Sequence, residues 1–337
     1  MTTTTTPTLR RRAALLGGAG AVLAAAAASA RPASAQQGQG QQRFATLNMF
    51  IPAGPGGGWD GLGRAIEQVA RGAGLVGTFQ FENVGGAGGT VGLPRFVSQR
   101  RGRPDALMVS GAVMVGAVLS NRSPVGIKDL TPIARMTSED VVVVVPATSE
   151  HRDMASLAAA LRANPGAVAV GGGSAGGIDH IALGLILKAL GRNAREASYV
   201  AFAGGGPAQA AILGGQVRAG ISGLSEFAEQ IRAGRMRALA TSGERRQDPQ
   251  IPTLKESGID VVIGNWRGVF GPPGLSADAR AAHVRFLTEL HALPAWKELL
   301  ATRGWDDAFL TGEAFAEFLR RDEAATEAVL REVGLVT

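Results

Sequence analysis

The 337-residue chain predicts an α/β protein of two lobes, each a mostly parallel sheet flanked by helices. Three observations carry that expectation. Apolar runs of strand length alternate with stretches whose apolar residues recur at helical spacing, as successive βα units require. The run Val141-Val142-Val143-Val144-Val145 has no polar alternation, which suits a strand covered on both faces, the usual situation in parallel sheets. The length exceeds the roughly 100–200 residues of a usual single core, so two lobes fit better than one. With 45% hydrophobic and 18% charged residues the chain can build real cores, which excludes a disordered or collagen-like protein despite 48 glycines.

The N-terminal residues 1–35 read as an export signal rather than as part of the fold. Arg10-Arg11-Arg12 precede an uncharged stretch, 13–30, and Ala33-Ser34-Ala35 then offers a small-x-small site for cleavage after Ala35. The stretch is mostly Ala and Gly, so it would insert weakly as a membrane anchor. The arginines followed by Ala13-Ala14-Leu15-Leu16 suggest the twin-arginine route, with general secretion as the alternative. Either route ends in the periplasm. Cleavage removes four arginines and no acid, lowering the net charge from +6 by four to +2, which gives no basis for nucleic acid or an anionic membrane as partner. The absence of cysteine excludes disulfides, thiolate metal sites, iron–sulfur clusters and thiol nucleophiles.

Residues 36–42 are Gln/Gly-rich and read as a flexible leader, so order is expected from residue 43. Residues 44–51 form the first expected strand, and Leu62, Ala65, Ile66, Val69 and Ala70 then mark a helix. Strands follow at 78–84, 106–110 and 141–145, and a helix at 155–163. Further strands are expected at 167–170, 198–202 and 216–221, followed by helices at 179–190, 207–213 and 225–233 respectively. After a strand at 236–241 come a Pro-containing segment, a strand around 260–269 and three helical stretches. One lobe is expected to comprise 43–139 and 241–337 and the other 140–240, with crossings near 137–141 and 236–241.

Four glycine clusters lie between an expected strand and an expected helix: 54–58, 85–89, 171–177 and 204–206. In an open α/β sheet those positions are the carboxyl ends of strands, where ligands bind. A glycine loop entering a helix presents free N–H groups and the positive end of the helix dipole, so it can hold an anion without Arg or Lys. Two clusters in each lobe predict an anion cleft between lobes. Glycine can also serve only tight turns.

Two clusters resemble better-known motifs. Gly56, Gly58 and Gly61 fit G-x-G-x-x-G, with Glu82 where a ribose-binding acid would stand, the pattern of an NAD-dependent oxidoreductase. Against it, Asp60 would face the pyrophosphate and Trp59 would crowd the backbone. Ser174 lies in Gly172-Gly173-Ser174-Ala175-Gly176, the G-x-S-x-G of a serine esterase, but only His283 and His291 lie far enough downstream to complete that order. Neither cofactor nor metal is expected, because His151, His180, His283 and His291 show no paired spacing. His180, in the first turn of the helix after the third cluster, could donate to a ligand or pack beside an Asp179 helix cap.

The runs Ile51-Pro52-Ala53-Gly54-Pro55-Gly56-Gly57-Gly58-Trp59-Asp60, Glu82-Asn83-Val84 with Gly86-Ala87-Gly88-Gly89, Gly173-Ser174-Ala175-Gly176-Gly177-Ile178-Asp179-His180 and Gly264-Asn265-Trp266-Arg267-Gly268 resemble the periplasmic solute-binding receptors of tripartite tricarboxylate transporters, the Bug receptors. Val200-Ala201-Phe202-Ala203-Gly204-Gly205-Gly206 and Leu213-Gly214-Gly215-Gln216-Val217 extend the likeness over nearly the whole exported chain. Trp59 and the Asp179-His180 pair are closest to the tricarboxylate-receptor branch, whereas Ile178 stands where a Thr is common there. The resemblance implies a monomeric, two-lobed type II periplasmic binding protein that catalyses no reaction. It would capture a tri- or dicarboxylate such as citrate by hinge closure and deliver it to membrane permease subunits. Carried over by position, ligand contacts would come from Gly57, Gly58, Trp59, Asp60, Ser110 and Gly111 in the first lobe. The second lobe would supply Ser174, Gly176, Gly177, His180, Gly204, Gly205 and Ser222. Trp266 would line the cleft or fill the core, and Asp60 could instead cap its helix and shape the loop.

Overall fold

The computed structural model describes residues 44–336, so the expected signal at 1–35, the leader at 36–42 and the onset of order at residue 43 lie outside the described residues. The chain runs β1 (Phe44–Ile51), α1 (Gly58–Gly72), β2 (Val76–Asn83), α2 (Gly92–Gln99), β3 (Ala106–Gly111), α3 (Ala112–Ser120) and β4 (Thr131–Ser138). It continues through β5 (Val141–Pro146), α4 (Met154–Ala163), β6 (Val170–Gly172), α5 (Ile178–Ala189), β7 (Tyr199–Ala201), α6 (Gly205–Leu213), β8 (Ala219–Gly223), α7 (Leu224–Arg232) and β9 (Met236–Thr241). The last elements are β10 (Arg267–Gly271), α8 (Ala277–Ala292), α9 (Pro294–Arg303), β11 (Asp306–Thr311) and α10 (Gly312–Glu332).

Two α/β sheets result, in the orders β11-β4-β10-β3-β1-β2 and β7-β6-β8-β5-β9, and both belong to one unit. The sheets are mixed rather than mostly parallel. In the first, β1 runs parallel to β2 and β3, whereas β10 is antiparallel to β3 and β4, and β11 to β4. In the second, β6 is parallel to β7 and β8, but β5 is antiparallel to β8 and β9. The reason lies in the crossings. β5 and β10 are the first strands after the chain changes sheet, so no helix returns the chain to the starting edge, and each enters against the direction of the βα units.

The strands β4 and β11 were not expected, since Pro132 and two leading aspartates, Asp306 and Asp307, weaken their local signals. Three expected strands shift towards the C-terminus, to Val170–Gly172, Ala219–Gly223 and Arg267–Gly271. A 3₁₀ turn, Pro165–Ala167, occupies the start of the first of them. The valine run behaves as expected: Val141, Val143 and Val145 join the main core, while Val142 and Val144 pack with Ile212, Phe227 and Met236 on the other face. α1 buries Leu62, Ala65, Ile66, Val69 and Ala70, the stripe read from its spacing, and a fully buried leucine such as Leu62 contributes about 1.5–3 kcal/mol. The first crossing falls between β4 and β5 as expected, but 236–241 is strand β9 of the second sheet and the return lies beyond it, between β9 and β10. The two connections lie side by side, with Glu139 N–H donating to Asn265 O at 3.2 Å and Asn265 N–H donating back at 2.8 Å.

Candidate functional site

All four glycine loops meet at one cleft. Gly57 and Gly58 enter it before α1, Gly86, Gly88 and Gly89 after β2, Gly173 and Ser174 before α5, and Gly204 and Gly205 at the start of α6. Glycine is required at particular points. Gly89 has φ +90°, and a Cβ there would lie 2.5 Å from Met114 Cε and 2.9 Å from the Trp59 ring. Elements of the two halves come close at the cleft edge, where a Cβ on Gly88 would stand 3.4 Å from Ser174 Cβ and one on Gly116, in α3, would strike Gly176 O.

Of the residues the sequence points to, Gly57, Gly58, Trp59, Ser174, Gly204, Gly205 and Ser222 line this cleft, and the others do not. The Asp60 carboxylate turns back into its own loop, accepting from Gly56 N–H and from Asn83 Nδ2, each at 3.1 Å. It shapes the loop, and α1 has no side-chain cap. Ser110 donates to Met114 Sδ at 3.2 Å, and Gly111 packs against the Trp266 carbonyl. Gly177 is the N-cap of α5, and the Gly176 N–H donates to His180 Nδ1 at 3.2 Å. The His180 ring stacks on Tyr199 with centroids 4.1 Å apart, and burial pushes its pKa down to about 4, so it is neutral. Trp266 belongs to the core: its Nε1 donates to Asp322 at 3.0 Å and its ring meets Phe315 and Phe318 edge-on.

Charged side chains at the cleft are what sequence reasoning missed. Arg267, on β10, is 2% exposed and forms an ion pair with Glu139, which is fully buried. Ser225 Oγ donates to Glu139 at 2.5 Å. Glu226 and Asp179 also line the cleft; Ser222 Oγ donates to Glu226 at 2.5 Å, and the Gly173 N–H donates to Asp179 at 2.7 Å. Burial pushes the Asp179 carboxyl up to about 7 against that hydrogen bond, and burial likewise raises Glu226 against the pull of Arg267. Two buried atoms here have no partner, Arg267 Nη1 and Asn265 Oδ1. The one available signal was a charge inside an apolar strand, Arg267 ahead of Gly268-Val269-Phe270, since such a residue is buried only when paired.

Neither enzymatic motif assembles its chemistry. Glu82, the would-be ribose acid, is tied to Arg95 at 2.5 Å and Arg100 at 2.7 Å. Among the described residues no histidine is hydrogen-bonded to Ser174; His291 pairs with Asp307 at 2.9 Å and His283 is buried against Phe44.

Residues 66–335 match the sequence model of the tripartite tricarboxylate transporter family receptor. The chain belongs to this family. It is a solute-binding receptor of the Bug type and not an enzyme. The receptor is 26% identical to protein BugT of Bordetella pertussis over 294 residues, 86% of this chain and 89% of BugT. It is 27% identical over 313 residues to a UPF0065 protein in the gbd 5' region of Cupriavidus necator, covering 91% and 92% of the two chains. Its fold is that of the periplasmic binding protein BugD, with TM-score 0.78, 22% identity and 86% and 98% of the chains covered. MatC from Rhodopseudomonas palustris, solved with bound malate, superposes with TM-score 0.74 at 22% identity over 85% and 98%. Another R. palustris protein, solved with adipate, gives 0.78 at 19% over 86% and 97%.

Proposed function

We propose that this receptor captures an organic carboxylate in the cleft and hands it to the membrane permease subunits of a tripartite tricarboxylate transporter. The observation that carries this reading is the convergence of four glycine loops, from two sheets, on one cleft. The first turns of α1 and α6 leave backbone N–H groups without helical partners and present positive dipole ends, which favour an anion. Gly57, Gly58 and Trp59 would contact the ligand from one side and Ser174, Gly204, Gly205 and Ser222 from the other. The malate- and adipate-bound relatives support a carboxylate. Sheet membership supports lobes of 43–139 with 241–337 and of 140–240, save that Thr241 still belongs to β9 of the second sheet. The hinge would lie at 137–141 and in the return after β9, where Asn265 pairs with Glu139.

A ligand bridging both lobes favours the closed state, and the permease would read that state. Residues 1–35 would direct a monomer to the periplasm, with cleavage after Ala35. Thermal denaturation over a panel of organic acids tests the reading, since a true ligand at 100 times its Kd adds about 2.7 kcal/mol. A panel that leaves the transition unmoved, with no change in small-angle scattering radius, would refute it.

A further inference from the structure

We infer that Glu226 is a built-in anion, its carboxylate filling one of the anion places made by the glycine loops, so that the receptor takes a monocarboxylate with an uncharged body rather than a di- or tricarboxylate. This rests on the cleft being the ligand site. Glu226, in the first turn of α7, reaches between the starts of two helices belonging to different sheets. Ser222 Oγ donates to its Oε2 at 2.5 Å, and the backbone N–H of Gly58, the first residue of α1, also stabilises that carboxylate. A Cβ on Gly205, the first residue of α6, would collide with the same oxygen, so the carboxylate fits only because residue 205 is glycine.

The charge of Arg267 attracts this carboxylate as well. The start of α1, the Ser222 hydroxyl and one guanidinium thus stabilise an anion that the chain itself supplies, with the start of α6 packed closely against it. A backbone N–H can only donate, so these groups hold Glu226 as an acceptor, the role a ligand oxygen would play. At the third loop the Gly173 N–H likewise donates to a side chain of the protein, Asp179 at 2.7 Å, and not to open space.

What remains for a ligand is limited. Arg267 Nη1 is a buried donor without a partner, Asn265 Oδ1 is a buried acceptor without one, and Pro52, Trp59 and Val113 give an apolar wall. One unpartnered cationic donor matches one carboxylate, and the wall matches an uncharged remainder. Three acids, Glu139, Glu226 and Asp179, already surround the single Arg267. Arg267 is the one cation among the residues that line the cleft, so each further ligand carboxylate would lose its hydration without a counter-charge in a medium of low dielectric.

Isothermal titration calorimetry on the purified protein tests this with matched pairs: butanoate against succinate, hexanoate against adipate and benzoate against terephthalate, with citrate alongside. The monocarboxylate that binds should do so about tenfold or more tightly than its dicarboxylate partner, with citrate weaker still. Glu226→Ala, which vacates the anion place, should reverse the order within that pair. Glu226→Gln keeps the shape without the charge and should narrow the gap, so the inference remains testable if the alanine variant does not fold. Preference of the unaltered protein for a dicarboxylate or citrate would overturn the built-in anion and leave the carboxylate receptor standing. Binding of no acid by the protein or either variant would overturn the receptor reading itself.

Discussion

Replacing Arg267 by Met would leave Glu139 in the interior without its counter-charge. The two side chains are 2% and 0% exposed and are joined directly, so neither can turn to water when the other is removed. Glu139 would keep only the Ser225 hydroxyl at 2.5 Å and the Ser225 N–H at 3.3 Å, both neutral donors. Breaking one side of a buried pair costs about 3–5 kcal/mol. The double variant Arg267→Met/Glu139→Gln removes both charges, retains an acceptor for Ser225 and approximates the lost volume, so its expected cost is below about 1.5 kcal/mol. Urea unfolding of the four proteins in a double-mutant cycle should return a coupling of about 2 kcal/mol or more. A double variant as unstable as the sum of the singles would refute the reasoning, because the loss would then come from packing and not from an orphaned charge.

Three further substitutions probe the site. Burial holds the Asp179 carboxyl at about 7, above its unfolded value near 4, so its neutral form favours folding fully below about pH 4 and that contribution is lost as pH rises through about 7. Asp179→Asn should therefore match the parent near pH 4 and exceed it at pH 8 by a few kcal/mol, read as melting temperature against pH. His180, held neutral with its pKa near 4, acts in the opposite sense, losing stability as pH falls from about 6.5, so the parent's profile is the flatter of the two in that window. Gly89→Ala combines φ +90° with a Cβ 2.5 Å from Met114 Cε, and calorimetric unfolding should show a loss of roughly 2–4 kcal/mol, with weaker ligand binding as Trp59 is displaced. Trp266→Phe removes the hydrogen bond to Asp322 while keeping an aromatic ring against Phe315 and Phe318; unfolding should show a loss of about 1–2 kcal/mol and calorimetry an unchanged ligand affinity.

The glycine clusters were legible because their cause is local. A strand that turns at once into a helix needs backbone conformations such as φ +65° at Gly88 and +127° at Gly204, and glycine adopts them freely. The helical stripe of α1 and the Val141–Val145 run were legible for a similar reason, since each repeats with a period set by backbone geometry. The site was less legible than the fold. Trp59 and Trp266 stand in equally recognisable motifs, yet one ring lines the cleft and the other faces Phe315 and Phe318.

The sequence alone determined two α/β halves and the glycine loops that wall the cleft, because strand length, helical period and positive-φ turns are properties of neighbouring residues. Only the tertiary structure decided that the sheets are mixed, that Arg267 pairs with a glutamate 128 residues away, and that Glu226 lies at the helix starts. Arg267 sits opposite Gly111 on β3 and Thr137 on β4, two residues before Glu139. That register is set by which strands become neighbours across the sheet, and no local period encodes it.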